Sequence, residues 1–179
     1  MTMDNDLDQF VASYLPRLTG YLRGKADDDD LHDLAHDCMQ VLVAKHSEVQ
    51  KWDAFLFKVA SNKLKQYYAQ NKRRNGFLSA VLDLDAMPMQ FLSTRLSVRV
   101  ARNTDVERAL GKLNLRQYQV VQLRYSQNLD IADVADALEI SPATVKRETT
   151  RARAVLGAAL GHEVEEQAFS SIIREYVKR

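Results

Sequence analysis

The chain has 179 residues, of which 46% are hydrophobic, and it holds only six glycines and three prolines. This composition is typical of packed helices and argues against a disordered or fibrous chain. No apolar run approaches the ~20 residues needed to span a bilayer, the N-terminal residues are acidic rather than signal-like, and Cys38 is the only cysteine. We therefore expect a cytoplasmic protein with no intrachain disulfide and no membrane insertion.

The net charge of +1 conceals a strong segregation of charge along the chain. Residues 1–50 hold four Lys or Arg against ten Asp or Glu, a net charge of −6, whereas residues 51–103 hold ten against three, a net charge of +7. Such a split favours two different partners for two surfaces, and the basic surface suits a polyanion.

Three apolar stripes at helical spacing predict three helices in the N-terminal part of the chain. Pro16 lies within the first stripe and should kink that helix, and the acidic run at 27–30 should favour the start of the second. The stripes comprise Leu7, Phe10, Val11, Tyr14, Leu15, Leu18 and Leu22; Leu31, Leu34, Ala35, Cys38, Met39 and Leu42; and Trp52, Phe55, Leu56, Val59, Ala60, Leu64 and Tyr67.

Helical periodicity is lost between about residues 75 and 103, where Met87, Pro88 and Met89 should break any helix. A stretch of this length is long for a loop and indicates a boundary between domains. We therefore expect an all-α fold of two small helical domains joined by a flexible linker that holds at most one short helix. The predicted N-terminal domain is 1–76, the linker 77–103, the C-terminal domain 104–160 and the tail helix 161–179.

The C-terminal domain should open with a capping box, in which Thr104 is the N-cap and Glu107 stands three residues on. Two helices should follow, the first carrying Val106, Leu110 and Leu113 and the second carrying Tyr118, Val121, Leu123 and Tyr125.

Residues 129–156 then have the pattern of a helix-turn-helix. Asp130 can cap a first amphipathic helix, and Ser141 followed by Pro142 restarts the chain as a second helix. The outer face of that second helix is cationic, with Lys146, Arg147, Arg151 and Arg153. The alternative is an ordinary helical hairpin with a solvated basic helix, because short patterns of this kind give false positives, but DNA binding is the better-supported interpretation.

The tail should form a final amphipathic helix that needs a partner surface. Two interpretations remain open for it: packing onto its own C-terminal domain, which we favour, and regulatory cover of a binding face. Its predicted apolar face comprises Val164, Ala168, Ile172, Tyr176 and, additionally, Ile173.

Four sequence blocks resemble, in their order and spacing, one family: the bacterial RNA polymerase sigma factors of the small two-domain, extracytoplasmic-function class. The first three blocks are 14–18 around a mid-helix proline, the acidic 30–39, and the aromatic-rich 52–62, which is followed by a basic run. The fourth is 113–156, with Val-Val-x-Leu-Arg-Tyr at 120–125 and Thr-Val-Lys at 144–146. Each block alone is a moderate signal, whereas together they cover most of the chain outside the linker and tail.

The resemblance implies a protein that binds core RNA polymerase and promoter DNA, recognises −10 and −35 elements, and helps to melt the −10 region. An anti-sigma factor or another inhibitory regulator is implied as a further partner. The polymerase should dock on one face of the acidic helix, formed by Asp30, Asp33 and Asp37, which lie three and four residues apart. A solvated acidic face is the alternative for these residues.

The resemblance also implies two DNA-binding sets. Phosphates need cations nearby, and single-stranded bases offer stacking faces and unpaired edges. The −10 set comprises Lys58, Asn62, Lys63, Lys65, Tyr67, Lys72, Arg73 and Arg74, with Asn62 the candidate for a base edge. The −35 set comprises Ser141, Ala143, Thr144, Lys146, Arg147 and Arg151, of which Lys146 and Arg151 should reach phosphates. The alternative for Trp52, Phe55 and Phe57 is simple core packing, which we favour for Phe55.

Three positions depart from the family pattern, of which Met39, in place of a frequent aromatic residue, is a tolerable core change. Glu139 stands in the helix-turn-helix turn where glycine is common, so the turn should adopt a slightly different backbone. Glu148 follows Arg147 where the family often has Ser-Arg; it should repel phosphate, although it could accept a hydrogen bond from a cytosine amino group.

Other functions are less well supported by the sequence. His32 and His36 share a helix face, but Cys38 faces elsewhere and the resemblance already explains the aspartates, so we predict no metal and no cofactor. No nucleophile–base pair or phosphate-binding glycine loop is recognisable, so we do not expect an enzyme. The two rivals are a helix-turn-helix regulator that acts as a dimer without polymerase, and an all-α protein that binds polymerase without promoter activity.

Overall fold

A computed structural model describes residues 3–23, 25–45, 48–74, 84–89, 105–161 and 163–178. Over these ranges the chain forms eight α-helices and one short 3-10 helix, with no β-strand, so the predicted all-α fold class is confirmed. The helices are α1 Met3–Leu22, α2 Asp28–Ala44, α3 Trp52–Arg74, α4 Asp105–Gly111, α5 Leu115–Tyr125, α6 Ile131–Leu138, α7 Pro142–Leu160 and α8 Glu166–Lys178.

The first three helices pack against one another through the stripes that the sequence predicts. Cys38 and Leu42 of α2 and Leu56 of α3 are fully buried between them. α1 continues through Pro16 instead of ending there, and the Thr19 hydroxyl donates to the Leu15 carbonyl oxygen at 3.0 Å in the turn that contains the proline. A proline deletes only one hydrogen bond of the helical ladder, and burial of the apolar face on both sides of it outweighs that loss.

The C-terminal helices form a second packed group, in which α5 and α7 are the central pair. α5 begins at a capping box that the sequence analysis did not identify. Asn114 Oδ1 accepts from the Gln117 backbone N–H at 2.8 Å, and Gln117 Oε1 accepts from the Asn114 N–H at 3.1 Å. The capping box predicted at Thr104 lies outside the described residues, although α4 begins directly after it at Asp105.

Part of the predicted linker is held against these C-terminal helices. Met89 is buried, and its backbone N–H donates to the Leu113 carbonyl oxygen at 2.8 Å. The Leu115 N–H in turn donates to the Met87 carbonyl oxygen at 3.1 Å. Residues 84–89 are therefore packed, because they supply an apolar side chain to a core and backbone partners to the start of α5.

The tail packs onto its own C-terminal group, as the favoured interpretation predicted. Val164, Phe169 and Ile173 are buried, and the Phe169 ring meets the Tyr125 ring edge to face at 5.2 Å between centroids. Ala168, which we expected on the apolar face, is exposed. The buried face is thus rotated about one residue from the predicted one, because Phe169 offers far more apolar area than Ala168.

The two helical groups lie against each other. α3 packs along α6, and α5 reaches the turn between α1 and α2. None of the helices in the described ranges is both long enough and apolar enough to cross a membrane.

Candidate nucleic-acid interface

The helix-turn-helix is present, with both predicted caps. Asp130 Oδ1 accepts from the Asp133 N–H at 2.7 Å at the start of α6. Ser141 Oγ accepts from the Thr144 N–H at 3.1 Å at the start of α7, and Pro142 occupies the first helical turn. These local hydrogen bonds satisfy amide groups that a helix start would leave unpaired, so the sequence fixes where each helix begins.

Glu139 occupies the turn between α6 and α7 in the left-handed backbone conformation, with φ 56° and ψ 44°. This is the conformation that glycine at the end of a helix ordinarily adopts, so the expectation of a different backbone here is wrong. A side chain in this region costs roughly 1 kcal/mol relative to glycine. A contact made by the Glu139 side chain can offset that cost.

The outer face of α7 carries the −35 set. Ser141, Ala143, Lys146, Arg147 and Arg151 are exposed, and Thr144 is half-buried. On the opposite face, Val145, Ala152 and Leu156 are buried against the other helices, as the periodicity predicted. The helix therefore presents a continuous polar and cationic surface of the kind that fits a DNA major groove.

Glu148 does not share this outer face. Its side chain is only 6% exposed, and its carboxylate accepts from Arg151 Nη1 at 3.0 Å and lies 3.5 Å from Arg147 Nε. Gln117 Nε2 donates to the same carboxylate at 3.5 Å. The expectation that Glu148 repels phosphate or accepts from a cytosine amino group is therefore wrong: the carboxylate turns inward, where it positions and partly neutralises two arginines of the −35 set.

On α3, the described cations of the −10 set are each paired with a carboxylate from another part of the chain. Lys58 Nζ lies 2.7 Å from Glu139, Lys63 Nζ 3.1 Å from Asp37, and Lys65 Nζ 3.3 Å from Asp85. The hydrogen bond and positive charge of Lys58 lower the pKa of the Glu139 carboxyl, and a hydrogen bond from Asn62 adds to this shift.

The remaining members of the −10 set differ in their exposure to solvent. Asn62 is exposed, whereas Tyr67 is half-buried with its hydroxyl accepting from the Asp27 N–H at 3.3 Å. Lys72, Arg73 and Arg74 form the last turn of α3, and their side chains lie outside the described residues.

The acidic face of α2 borders the −10 set directly. Asp33 and Asp37 are exposed and Asp30 is half-buried. A groove of about 200 Å³ runs between these residues and the side chains of Lys63 and Tyr67 on α3. The candidate polymerase and −10 surfaces are thus neighbours, joined by the Lys63–Asp37 ion pair.

The aromatic segment is mostly core. Phe57 is fully buried, and Trp52 and Phe55 are half-buried, with the Trp52 ring 4.6 Å from that of Phe10. Phe57 is therefore a core residue. Trp52 and Phe55 pack against the core and remain partly exposed to solvent at the start of α3.

A buried polar cluster between the two helical groups was missed by the sequence analysis. Lys25 is 0% exposed; its ammonium group donates to the Tyr21 carbonyl and to Gln122 Oε1 and lies 3.7 Å from the Tyr21 ring centroid. Burial lowers the pKa of this lysine well below its ordinary value. Beside it, Gln119 Nε2 donates to Ser61 Oγ at 2.9 Å. The one available signal was the pair of glutamines, three apart, on an otherwise apolar face of α5.

No group of three or more His, Cys, Asp or Glu side chains suited to a metal ion occurs in the part of the chain that the structure describes. Fold and surface together define an all-α protein whose C-terminal group presents a basic helix-turn-helix.

Comparison with known families and structures defines the class of protein more closely. Residues 104–156 match the family described as Sigma-70, region 4. The structure of the sigma factor RpoE in complex with the anti-sigma factor NepR from Bartonella quintana aligns with a TM-score of 0.64 at 22% identity, covering 87% of this chain and 97% of that one. The structure of CnrH in complex with the cytosolic domain of CnrY aligns with a TM-score of 0.64 at 21% identity, covering 89% of this chain and 90% of that one.

No curated protein sequence matches the chain. The two structures show the fold, and the family match shows that residues 104–156, which contain the helix-turn-helix, are similar to sigma region 4. The predicted resemblance of residues 113–156 to the C-terminal domain of sigma factors is confirmed by the family match.

Proposed function

We propose that the chain is an alternative sigma factor that binds core RNA polymerase in the cytoplasm and directs it to a two-part promoter. The observation that carries this proposal is the exposed cationic face of α7 within a sigma region 4. The all-α arrangement shared with the RpoE and CnrH structures supports it. The chain itself performs no chemistry in this function; it supplies binding and positioning.

The −35 element is proposed to lie along the outer face of α7. Lys146 and Arg151 contact phosphates, and Arg147 with Thr144 and Ala143 reaches base edges near the start of the helix. Arg151 Nη1 lies 3.0 Å from the Glu148 carboxylate, which partly neutralises its charge. Of the two cations, Lys146 is therefore expected to interact more strongly with a phosphate.

The −10 element is proposed to lie along α3, where it is held after melting. Lys58, Lys63 and Lys65 supply cations to the single strand, and Asn62 supplies an amide to an unpaired base edge. The basic last turn of α3 extends this path. The acidic face of α2 docks on the polymerase, so the enzyme and the melted strand are held side by side.

An inhibitory protein partner is proposed as well. Both structures that share the fold are complexes, one with the anti-sigma factor NepR and one with the cytosolic domain of CnrY.

Run-off transcription with core polymerase tests the proposal. Templates selected from a randomised promoter library should yield discrete transcripts only when the chain is present. A helix-turn-helix regulator acting alone would bind duplex DNA but leave core polymerase inactive, and a polymerase-binding antagonist would bind the enzyme without any transcript. Either result would overturn the proposal.

Variants then separate the two DNA contacts. Lys146→Ala should weaken duplex −35 binding and reduce its salt dependence by about one phosphate contact, because the slope counts released counterions. Lys112→Ala, at an exposed lysine outside α7, is the matched control and should leave both unchanged. Asn62→Ala should slow open-complex formation and leave −35 binding intact; normal opening on a weak promoter would exclude its role at the base edge.

A further inference from the structure

A carboxylate is buried within the cationic face of α7. Glu148 is buried, whereas Arg147 and Arg151 on either side of it are exposed. Removing a carboxylate from water is costly unless charged and hydrogen-bonding groups surround it. The position of Glu148 is therefore determined by its partners, which are two members of the −35 set and one residue of another helix.

Gln117 of α5 anchors this carboxylate from the inner side. Gln117 Oε1 accepts from the Asn114 backbone N–H at 3.1 Å in the capping box, and this contact fixes the orientation of the side-chain amide. The other arm of the amide, Nε2, faces Glu148 and donates to its Oε2 at 3.5 Å. The start of α5 thus determines where the Glu148 carboxylate lies.

The carboxylate in turn holds two guanidinium groups. Arg151 Nη1 donates to Glu148 Oε1 at 3.0 Å, and Arg147 Nε lies 3.5 Å from the same oxygen. Arg147 is held at a second point, because its Nη2 donates to Thr144 Oγ1 at 3.4 Å. A guanidinium group held at two points loses less rotamer freedom on binding, so its planar set of donors is oriented before DNA arrives.

The same carboxylate lowers the effective positive charge of α7. A guanidinium group that already faces a carboxylate gains less from a phosphate than one that faces water. Phosphate contacts raise the affinity for every DNA sequence alike, whereas oriented contacts to base edges raise it for particular sequences. A buried carboxylate at this position therefore weakens the non-selective part of DNA binding and strengthens the selective part.

We propose that Glu148, held by Gln117, is a positioning residue that sets the sequence selectivity of α7. It orients Arg147 toward base edges and withholds part of the charge of Arg151 from phosphates. This role rests on the sigma-factor function proposed above, because α7 needs selectivity only if it reads a −35 element. The contacts of the carboxylate can be tested on the free chain.

Selectivity of duplex binding gives the first test. The full chain is titrated with two duplex probes of equal length: a −35 sequence taken from promoters that the holoenzyme transcribes from a randomised library, and a pool randomised over the same positions. Glu148→Gln keeps the size of the side chain and removes its charge. It should bind the random pool more tightly, with a salt slope steeper by about one released counterion.

The ratio of the two affinities should fall about tenfold in Glu148→Gln, which is the discrimination that one well-oriented arginine contact supplies. Glu163→Gln makes the same chemical change at an exposed position outside α7, and it should leave both the ratio and the slope unchanged. A purely structural role would give a different result, because partial unfolding weakens binding of both probes by the same factor and leaves their ratio constant.

A second variant separates charge from orientation and does not depend on the folding of the first. Glu148→Asp keeps the negative charge but withdraws the carboxylate by one methylene group. The salt slope on the random pool should stay that of the original chain, whereas the ratio of affinities should fall because Arg147 is no longer held. An unchanged ratio in Glu148→Asp would contradict the orienting role.

Relaxation of the arginine Nε–H groups, measured by NMR on the free chain, tests the contacts without DNA. Glu148→Gln should lower the order parameters of Arg147 and Arg151 toward the values below about 0.6 that mark flexible groups, and Glu163→Gln should not. Unchanged order parameters in Glu148→Gln would show that the carboxylate does not hold these side chains.

Equal ratios and slopes in Glu148→Gln and Glu163→Gln would overturn the inference. If the original chain still prefers the −35 probe, that result removes the role of Glu148 alone and leaves the sigma-factor function standing. If the original chain shows no preference between the probes, α7 reads no −35 element, and the proposed function fails together with the selectivity assigned to Glu148.

Discussion

Replacing Phe169 by alanine should destabilise the protein through the docking of its tail. The Phe169 side chain is fully buried and meets the Tyr125 ring edge to face at 5.2 Å. Truncation of a buried phenylalanine to alanine costs about 3–5 kcal/mol, including the cavity that it leaves. We expect the lower figure for Phe169→Ala. A terminal helix can detach while the rest of the protein stays folded, so the loss in the free energy of unfolding cannot exceed what docking of the tail contributes.

The expected shift in the melting temperature follows from the size of the chain. A loss of 1 kcal/mol lowers the midpoint by about 2–4 °C in a protein of 150–250 residues, so about 3 kcal/mol corresponds to roughly 6–12 °C. Thermal unfolding followed by circular dichroism measures it. Gln167→Ala, at an exposed position in the same helix, is the control and should shift the midpoint by no more than about 2 °C.

The same variant distinguishes packing from regulation. If the tail is structural, Phe169→Ala lowers the midpoint and leaves run-off transcription at a permissive temperature unchanged. Higher transcription at unchanged stability would refute the packing argument and assign the tail to inhibition. Equal midpoints for Phe169→Ala and Gln167→Ala would show that the Tyr125 contact contributes nothing.

Three further predictions concern charge and backbone strain. Burial lowers the pKa of Lys25, so from this lowered pKa up to the ordinary lysine value of about 10 the unfolded chain binds more protons at this amine than the folded chain does, and stability should rise with pH. Denaturant midpoints should show a flatter rise for Lys25→Met; an identical slope would contradict the buried assignment. Glu139→Gly should be about 1 kcal/mol more stable than Glu139→Gln. Both variants lose the Lys58 ion pair, but only glycine adopts the positive φ at this position without strain. Equal stability of the two variants to urea would exclude that strain. Asp33→Lys with Asp37→Lys should abolish capture by core polymerase while keeping helical content, and undiminished capture would remove the docking assignment.

Features fixed by neighbouring residues could be predicted from the sequence. The caps at Asp130 and Ser141 and the buried side of α7 depend on hydrogen bonds and periodicity within one or two turns. The apolar face of α8 was predicted one residue away from its observed position. Ala168 and Phe169 are adjacent and both hydrophobic, so periodicity alone does not decide which of them packs against another helix.

Features fixed by distant residues could not be predicted. Lys25 and Gln122 are 97 positions apart, and a lysine is the side chain that sequence reasoning places in solvent by default. Glu139 in the turn looked like a departure from a glycine pattern until its contact with Lys58 supplied a reason for a charged side chain there. The same holds for Glu148, because the inward orientation of its side chain depends on hydrogen bonds from Arg151 and Gln117.

Cys38 has a consequence for chemical labelling and for the response to oxidants. It is the only sulfhydryl in the chain, it is buried between α2 and its neighbours, and burial raises the pKa of its thiol to about 12. The thiolate is the reactive species, so at neutral pH the folded protein resists alkylation and peroxide at this position. A cysteine introduced at an exposed site such as Gln40 or Ala158 should therefore take up a maleimide dye selectively, without removal of the native one.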